Sequence, residues 1–142
     1  KKKKKKKKDN LFYTGDIGQI DKYKNLIVKD RIDSMLVVSG ENIYPNEIEN
    51  FANNYNGIKN TFVTGIFDKI TSKKVVLIYE GKKNISKEGI ISFLSKKISN
   101  FKLPKKIWHV SDLNIREIPK APNGKILRKK FNQILLLNKN FN

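Results

Sequence analysis

The chain of 142 residues contains no cysteine, one histidine and one methionine, and only 13 acidic residues against 31 lysines and arginines. The absence of cysteine excludes disulfide bonds, thiolate metal sites and cysteine nucleophiles. A single histidine excludes a cluster of histidine ligands. His109 stands between Trp108 and Val110 in a strand-like stretch, which favours a structural role. No apolar run approaches the ~20 residues that span a membrane. A cytosolic protein is the resulting expectation.

Positive charge is concentrated at the start of the chain. Residues 1–8 are all lysine and account for eight of the 18 net positive charges. Such a low-complexity run repels itself and is expected to be disordered. A lysine run in place of an initiating methionine indicates a fragment or a truncated gene model. The other lysines are scattered among apolar positions and match no nucleic-acid-binding motif, so no specific nucleic-acid partner is predicted. A basic module that binds polyanions is nevertheless an alternative.

The apolar pattern predicts one small α+β domain. Strands and helices alternate without a long parallel βαβ pattern, which is typical of a small mixed sheet with packed helices. Val, Ile and aromatic residues predict strands, and apolar residues at helical spacing predict helices. The expected elements are a hairpin over 17–30, strands over 35–38, 61–67, 74–79 and 106–110, a helix from Pro45, a second helix capped by Ser86, and a terminal helix from about Ile126 with Leu127, Phe131, Ile134 and Leu135 buried.

The segment 118–129 has the most distinctive spelling in the chain, IPKAPNGKILRK. Two prolines prevent a regular helix before Lys125 because they remove backbone donors and fix φ. Gly124 has no Cβ to keep a ligand or another backbone at a distance. A lysine presented in this way is a fixed cation for a phosphate or a carboxylate. A solvated turn in a lysine-rich chain is the plain alternative on this motif alone.

Two further motifs precede that segment, FYTGDIG at 12–18 and DRIDSMLVVSGENIYPNEIE at 30–49. In this order and spacing, the three motifs resemble the C-terminal part of the adenylate-forming enzymes, the superfamily of acyl-CoA synthetases, amino-acid adenylation domains and luciferases. The resemblance runs from about Leu11 to about Leu135. It implies a mobile C-terminal domain that carries a catalytic lysine and follows a β-hairpin from a large AMP-binding domain.

By this resemblance, Asp16 and Arg31 hold the ribose of ATP and of the acyl-adenylate. A carboxylate suits a vicinal diol because each oxygen accepts one hydroxyl proton. Asp33 matches the hinge about which the C-terminal domain rotates between an adenylation pose and a thioester-forming pose. The implied division is residues 9–32 as the tail of the large domain and residues 33–142 as the mobile domain.

The resemblance also assigns the two half-reactions. Lys125 serves adenylation, in which a carboxylate attacks the α-phosphate of MgATP. In the second pose Ser39, Gly40 and Glu41 line the tunnel for the pantetheine arm of CoA. The expected substrates and cofactors are therefore ATP, Mg²⁺, CoA and a carboxylic acid, with fatty and aryl acids both compatible. A ligase that loads a carrier protein is the second alternative.

The sequence holds no Ser/Thr/Gly-rich phosphate loop, and the acyl pocket is expected in the large domain. We therefore expect the 142 residues alone to be inactive and to require a large N-terminal AMP-binding domain as partner.

Overall fold

The computed structural model describes residues 11–68, 70, 72–138 and 141, and the predicted disorder of the lysine run lies outside the described residues. The described chain forms seven strands, three α-helices and two short 3₁₀ segments. The predicted α+β class is confirmed. The strands are Asp16–Ile20 (β1), Leu26–Arg31 (β2), Leu36–Val38 (β3), Glu41–Ile43 (β4), Ile58–Asp68 (β5), Ser72–Gly81 (β6) and Lys106–His109 (β7), and the α-helices are Pro45–Ala52 (α1), Lys87–Ser95 (α2) and Arg128–Leu136 (α3).

The main sheet has the order β5-β6-β7 and is mixed, as predicted. Strand β5 pairs antiparallel with β6, and β6 pairs parallel with β7. Both long strands extend beyond the ranges that the apolar pattern predicts. Two separate antiparallel pairs, β1-β2 and β3-β4, precede this sheet.

The central strand β6 is buried on both faces. Because side chains alternate along a strand, Val75, Leu77 and Tyr79 enter one core, which α1 and α2 complete. Val76 and Ile78 enter a second core, which Phe131 and Leu135 of α3 complete. The sheet therefore fixes α3, and the loop before it, on the face opposite α1 and α2.

Helices α1 and α2 begin where the sequence predicts. Pro45 is the first residue of α1, a position where its missing N–H costs nothing. The Ser86 hydroxyl caps α2 by accepting a hydrogen bond from the Gly89 amide at 3.0 Å. None of the helices in the described residues combines the length and the apolar character needed to cross a bilayer.

Helix α3 begins at Arg128, two residues later than predicted. Phe131 and Leu135 are buried as expected, and Ile134 is partly buried. The predicted burial of Leu127 is wrong, because this side chain is 37% exposed. Leu127 precedes the helix and its amide donates to the Pro119 carbonyl at 2.8 Å. It therefore closes a loop and does not share the buried face of α3.

The β1-β2 hairpin confirms the strand pair predicted over 17–30. Its turn is held by Asp21, whose Oδ1 accepts from the amides of Tyr23 and Asn25, both at 2.8 Å. This hairpin exposes a series of large apolar side chains, namely Ile20, Tyr23, Leu26, Ile27 and Val28.

Candidate functional site

Lys125 lies on a tight hairpin that leads into α3. The Gly124 amide donates to the Ala121 carbonyl, and the Ala121 amide donates to the Lys125 carbonyl, both at 2.8 Å. This pattern is that of a type I turn closed by a glycine bulge, in which Pro122 supplies the fixed φ of the first central position. Lys120 and Ile126 pair at its base. The sequence motif therefore folds into a defined turn.

Gly124 is required by its backbone conformation. Its φ is +80°, a region that residues with a Cβ rarely adopt. Apart from its two chain neighbours, none of the described residues would have a heavy atom within 4 Å of a Cβ added there. Within this chain, positive φ accounts for the glycine, and close approach of a ligand to Gly124 stays a prediction.

Asp16 and Arg31 are brought together by the register of the first hairpin. They are direct partners across β1 and β2, and Arg31 Nη1 lies 3.0 Å from Asp16 Oδ1. Gly15 makes room for this contact, since a Cβ there would lie 3.0 Å from Arg31 Nη2. Both side chains are about two-fifths exposed, so the pair contributes little stability and is open to solvent.

Asp33 contacts the same guanidinium from the other side. Its Oδ1 lies 3.3 Å from Arg31 Nε, and its Oδ2 lies 3.8 Å from Lys129 Nζ. The predicted hinge residue therefore links the ribose-contact candidate to the first turn of α3.

A single cleft joins these predicted residues to the lysine hairpin. It has a volume of about 770 Å³, and its walls include Arg31, Asp33 and Lys125. Asp16 does not line the cleft, but it is paired with Arg31, which does. Lys125 is exposed and forms no ion pair with the residues that the structure describes. The cleft thus combines a solvent-accessible cation with a guanidinium and a carboxylate.

Ser39, Gly40 and Glu41 lie elsewhere, at the turn between β3 and β4. Ser39 and Gly40 both have positive φ, 50° and 85°, as a two-residue hairpin turn that matches strand twist requires. Strand β4 is an element that the apolar pattern does not predict. Ser39 and Glu41 border a second groove of about 530 Å³, together with Phe101 and four lysines, Lys73, Lys74, Lys105 and Lys106.

Sequence reasoning missed a buried polar network beneath the lysine hairpin. Arg128, three residues after Lys125, donates to Glu49 and, at 2.9 Å, to Asn46 Oδ1. Glu49 also accepts from the Val63 amide at 2.6 Å. Burial raises the pKa of the Glu49 carboxyl, and the neighbouring Arg128 charge opposes that rise. The network secures the start of α3 against α1 and β5.

His109 takes part in local structure, as expected. Its Nδ1 lies 2.7 Å from Ser111 Oγ, and its Nε2 lies 3.2 Å from the Gly81 carbonyl oxygen.

Comparison with known proteins gives a consistent result, although no family model matches the chain. A 2-succinylbenzoate–CoA ligase of Staphylococcus epidermidis is 34% identical over 122 residues, which cover 86% of this chain and 25% of that protein. The long-chain-fatty-acid–CoA ligase FadD13 of Mycobacterium tuberculosis is 35% identical over 118 residues, which cover 82% of this chain and 22% of that protein. The chain thus spans about a quarter of the length of these relatives.

Solved structures agree with the sequence relatives. A fatty acyl CoA synthetase of Mycobacterium tuberculosis superposes with a TM-score of 0.70 at 32% identity, covering 89% of this chain and 24% of that one. The o-succinylbenzoate CoA synthetase of Bacillus subtilis, solved with its acyl-adenylate intermediate, gives a TM-score of 0.78 at 25% identity, covering 87% and 25%. Together with the three motifs, these matches show that the chain corresponds to the C-terminal domain of the adenylate-forming superfamily, and that the relatives it resembles are CoA ligases.

Proposed function

We propose that the chain is the mobile C-terminal domain of an ATP-dependent CoA ligase, which converts a carboxylic acid to an acyl-adenylate and then to a thioester. The observation that supports this proposal most is that Arg31, Asp33 and Lys125 line one cleft. A ribose contact, a hinge and a catalytic cation are the parts that adenylation requires on this side of an active site. The acyl group, fatty or aryl, is selected by the large domain.

In the adenylation step a carboxylate oxygen of the substrate attacks the α-phosphorus of ATP, and pyrophosphate leaves. Lys125 stabilises the negative charge that gathers on the attacking and α-phosphate oxygens. Two unit charges at ~4 Å interact with roughly 4 kcal/mol at an effective dielectric of about 20. Loss of such a positioned cation is expected to slow adenylation by a factor on the order of 10²–10³.

In our proposal Asp16 and Arg31 bind the ribose hydroxyls of ATP. Their present contact uses Asp16 Oδ1 and Arg31 Nη1. A carboxylate accepts at two oxygens and a guanidinium donates from several nitrogens, so both groups can bind a hydroxyl while they orient each other.

Among the described residues no cluster of three or more carboxylate or histidine side chains is placed to hold a metal. We therefore assign Mg²⁺ to the ATP phosphates and the large domain.

The second step transfers the acyl group to a thiol, which attacks the acyl carbonyl carbon as AMP leaves. We propose that Ser39, Gly40 and Glu41 then line the path of the pantetheine arm. Lys74 is paired with Asp68, and we assign the phosphate contact to Lys105 and Lys106 of the same groove. These two lysines favour CoA as acceptor over a carrier protein, because CoA carries a phosphorylated nucleotide at the far end of that arm. Positive charge close to the tunnel mouth would bind those phosphates.

The division of the protein at Asp33 is also part of the proposal. The exposed apolar side chains of the β1-β2 hairpin support it, because contiguous apolar surface marks a contact with another body. The occupant that we assign to this surface is the large AMP-binding domain. The fraction of each relative that the chain matches, about a quarter, leaves ample length for such a domain.

The test uses the complete protein that contains this chain, with Lys125→Ala and, as control, Lys97→Ala on the far side of the domain. Pyrophosphate release measures adenylation, and conversion of supplied acyl-adenylate plus CoA measures thioester formation. We expect Lys125→Ala to lose adenylation on the order of 10²–10³-fold and to retain thioester formation. Equal loss of both steps, or no loss of adenylation, would contradict the assigned role.

A further inference from the structure

Glu80 lies near the end of β6, close to the base of the hairpin that carries Lys125. Its side chain is 13% exposed and accepts three hydrogen bonds. Oε1 accepts from the backbone amide of Ile118, and Oε2 accepts from Lys120 Nζ at 3.1 Å and from Asn60 Nδ2 at 2.7 Å. Asn60 is its direct partner on β5. Glu80 is therefore fixed to the sheet on one side and to the hairpin on the other.

Its contacts hold the incoming arm of the hairpin. Ile118 is only 1% exposed and belongs to the second core, so that arm starts from a fixed point. Lys120 pairs with Ile126, the residue directly after Lys125. If Lys120 moved, its backbone partner Ile126 would move with it, and Lys125 would be displaced as the residue next to Ile126. The outgoing arm is held separately by Arg128 through Glu49.

We propose that Glu80 is a positioning residue for Lys125, acting through Ile118 and Lys120 to hold the hairpin in the geometry that adenylation needs. This inference rests on the proposed function, in which Lys125 acts in adenylation and swings away for thioester formation. Glu80 touches no reacting atom. Its effect should therefore be confined to the step in which the position of Lys125 matters.

The role requires a carboxylate, because the surrounding groups are all donors. In Glu80→Gln one end of the side chain becomes an NH₂ group, which cannot accept a hydrogen bond. With the NH₂ toward Lys120 and Asn60, it faces two donors. With the amide reversed, it faces the Ile118 N–H. Either orientation leaves a donor–donor contact in a mostly buried site, so glutamine is not a neutral replacement despite its similar shape.

The experiment compares three variants of the complete protein: Glu80→Gln, Lys125→Ala, and Glu88→Gln as the control. Glu88 is an exposed glutamate whose side chain accepts from Ser86 at the start of α2. Adenylation and thioester formation are measured separately, the latter from supplied acyl-adenylate and CoA. A misplaced catalytic group can cost up to about 100-fold. We expect Glu80→Gln to lower the adenylation rate on the order of 10-fold and to leave thioester formation within about twofold of the parent.

The outcomes separate the two proposals. If Lys125→Ala leaves adenylation intact, the proposed function fails and the positioning role fails with it. If Lys125→Ala abolishes adenylation while Glu80→Gln behaves like Glu88→Gln, only the positioning role is overturned. Equal loss of both half-reactions in Glu80→Gln would indicate general unfolding of the domain and would also overturn it.

A second variant keeps the test decisive if Glu80→Gln does not fold. Lys120→Met removes one donor and leaves the Ile118 bond to Glu80 in place, and Lys120→Arg restores a cation. We expect a smaller adenylation defect in Lys120→Met, rescued in Lys120→Arg. In the 142-residue chain, Lys120→Met should also accelerate hydrogen exchange at the hairpin amides of Ala121 and Gly124. Unchanged exchange and unchanged adenylation would overturn the proposal.

Discussion

The carboxylate of Asp30 caps a helix that begins 15 residues later, by accepting two hydrogen bonds from Asn46. Oδ2 accepts from the Asn46 backbone amide at 3.0 Å, and Oδ1 accepts from its side-chain Nδ2 at 2.9 Å. Pro45 has no N–H, and Tyr44 makes no side-chain cap, so α1 takes its cap from strand β2. If the chain bends at Asp33, this contact joins the two sides of the hinge.

Removal of this cap should destabilise the domain. Asp30 is 2% exposed, and Asp30→Ala would leave the backbone amide and the side-chain amide of Asn46 without their acceptor. Loss of a cap costs about 1 kcal/mol, with a range of roughly 0.5–2. Urea unfolding of the 142-residue chain measures the change in the free energy of unfolding. The matched control is Glu117→Ala, which removes an exposed carboxylate. A loss no larger than that of the control would contradict the capping role.

The elements follow from local pattern, whereas the contacts that hold the site do not. Apolar spacing predicts the three helices and the long strands because each signal lies within a few residues. The partners of Asp30, Glu80 and Arg128 lie 16, 38 and 79 residues away in the chain, and no periodicity reports them. The prediction for Leu127 is wrong for the same reason, since its apolar character fits the helix pattern but the hydrogen bond from its amide to the Pro119 carbonyl holds it outside the helix.

The sequence motifs predict residues of the candidate site that apolar periodicity does not identify. They predict Arg31 as a ribose contact, Asp33 as a hinge and Lys125 as a catalytic cation, and these three residues line one cleft. The catalytic roles of these residues stay predictions. The buried support beneath them was invisible in the sequence because arginine and glutamate are ordinarily surface residues.

Loss of the Arg128 cation should make stability depend on pH. Arg128→Met would leave Glu49 buried without its counter-charge, at a cost of roughly 3–5 kcal/mol. Burial already raises the pKa of Glu49 above its ordinary value of 4.5, and loss of Arg128 raises it further. A raised folded-state pKa means that the folded form binds the proton more tightly, so the added stability is complete below pH 4.5 and is lost as pH rises through the folded pKa.

Urea unfolding at pH 5 and pH 8 tests this expectation. Arg128→Met should be closer to the parent at pH 5 than at pH 8. In the double variant Glu49→Leu with Arg128→Met, the part of the pH dependence of stability that comes from Glu49 should disappear, because no carboxyl is left at position 49 to titrate. A penalty that is the same at both pH values would show that Glu49 does not titrate in this range.

Substitution can separate two explanations for the glycine at position 124, its positive φ and the close approach of a ligand. The positive φ predicts that Gly124→Ala destabilises the chain by about 1 kcal/mol and that Gly124→Asn costs less, because asparagine tolerates this region better. If a ligand also approaches Gly124 closely, Gly124→Asn in the complete protein should slow adenylation while stability is kept. Thermal unfolding and pyrophosphate release measure the two effects, and equal stability losses for Ala and Asn would argue against the conformational reason.

The lysines beside Ser39 and Glu41 should set the affinity for CoA without affecting the thiol chemistry. An exposed charge pair contributes about 0.2–1 kcal/mol, so the double variant Lys105→Ala with Lys106→Ala should raise the KM for CoA several-fold. Pantetheine has the same thiol arm and no nucleotide, and its KM should not change. The matched control is Lys96→Ala with Lys97→Ala, which removes the same charge near the end of α2. Equal effects on CoA and pantetheine would place the lysines in contact with the arm itself.

A parent protein that prefers a carrier protein to CoA would favour the carrier-loading alternative. If the chain were instead a basic module, the 142 residues should bind polyanions with an affinity that falls as salt rises. That affinity should be the same in Lys125→Ala, and such a result would favour the basic-module alternative over the CoA ligase.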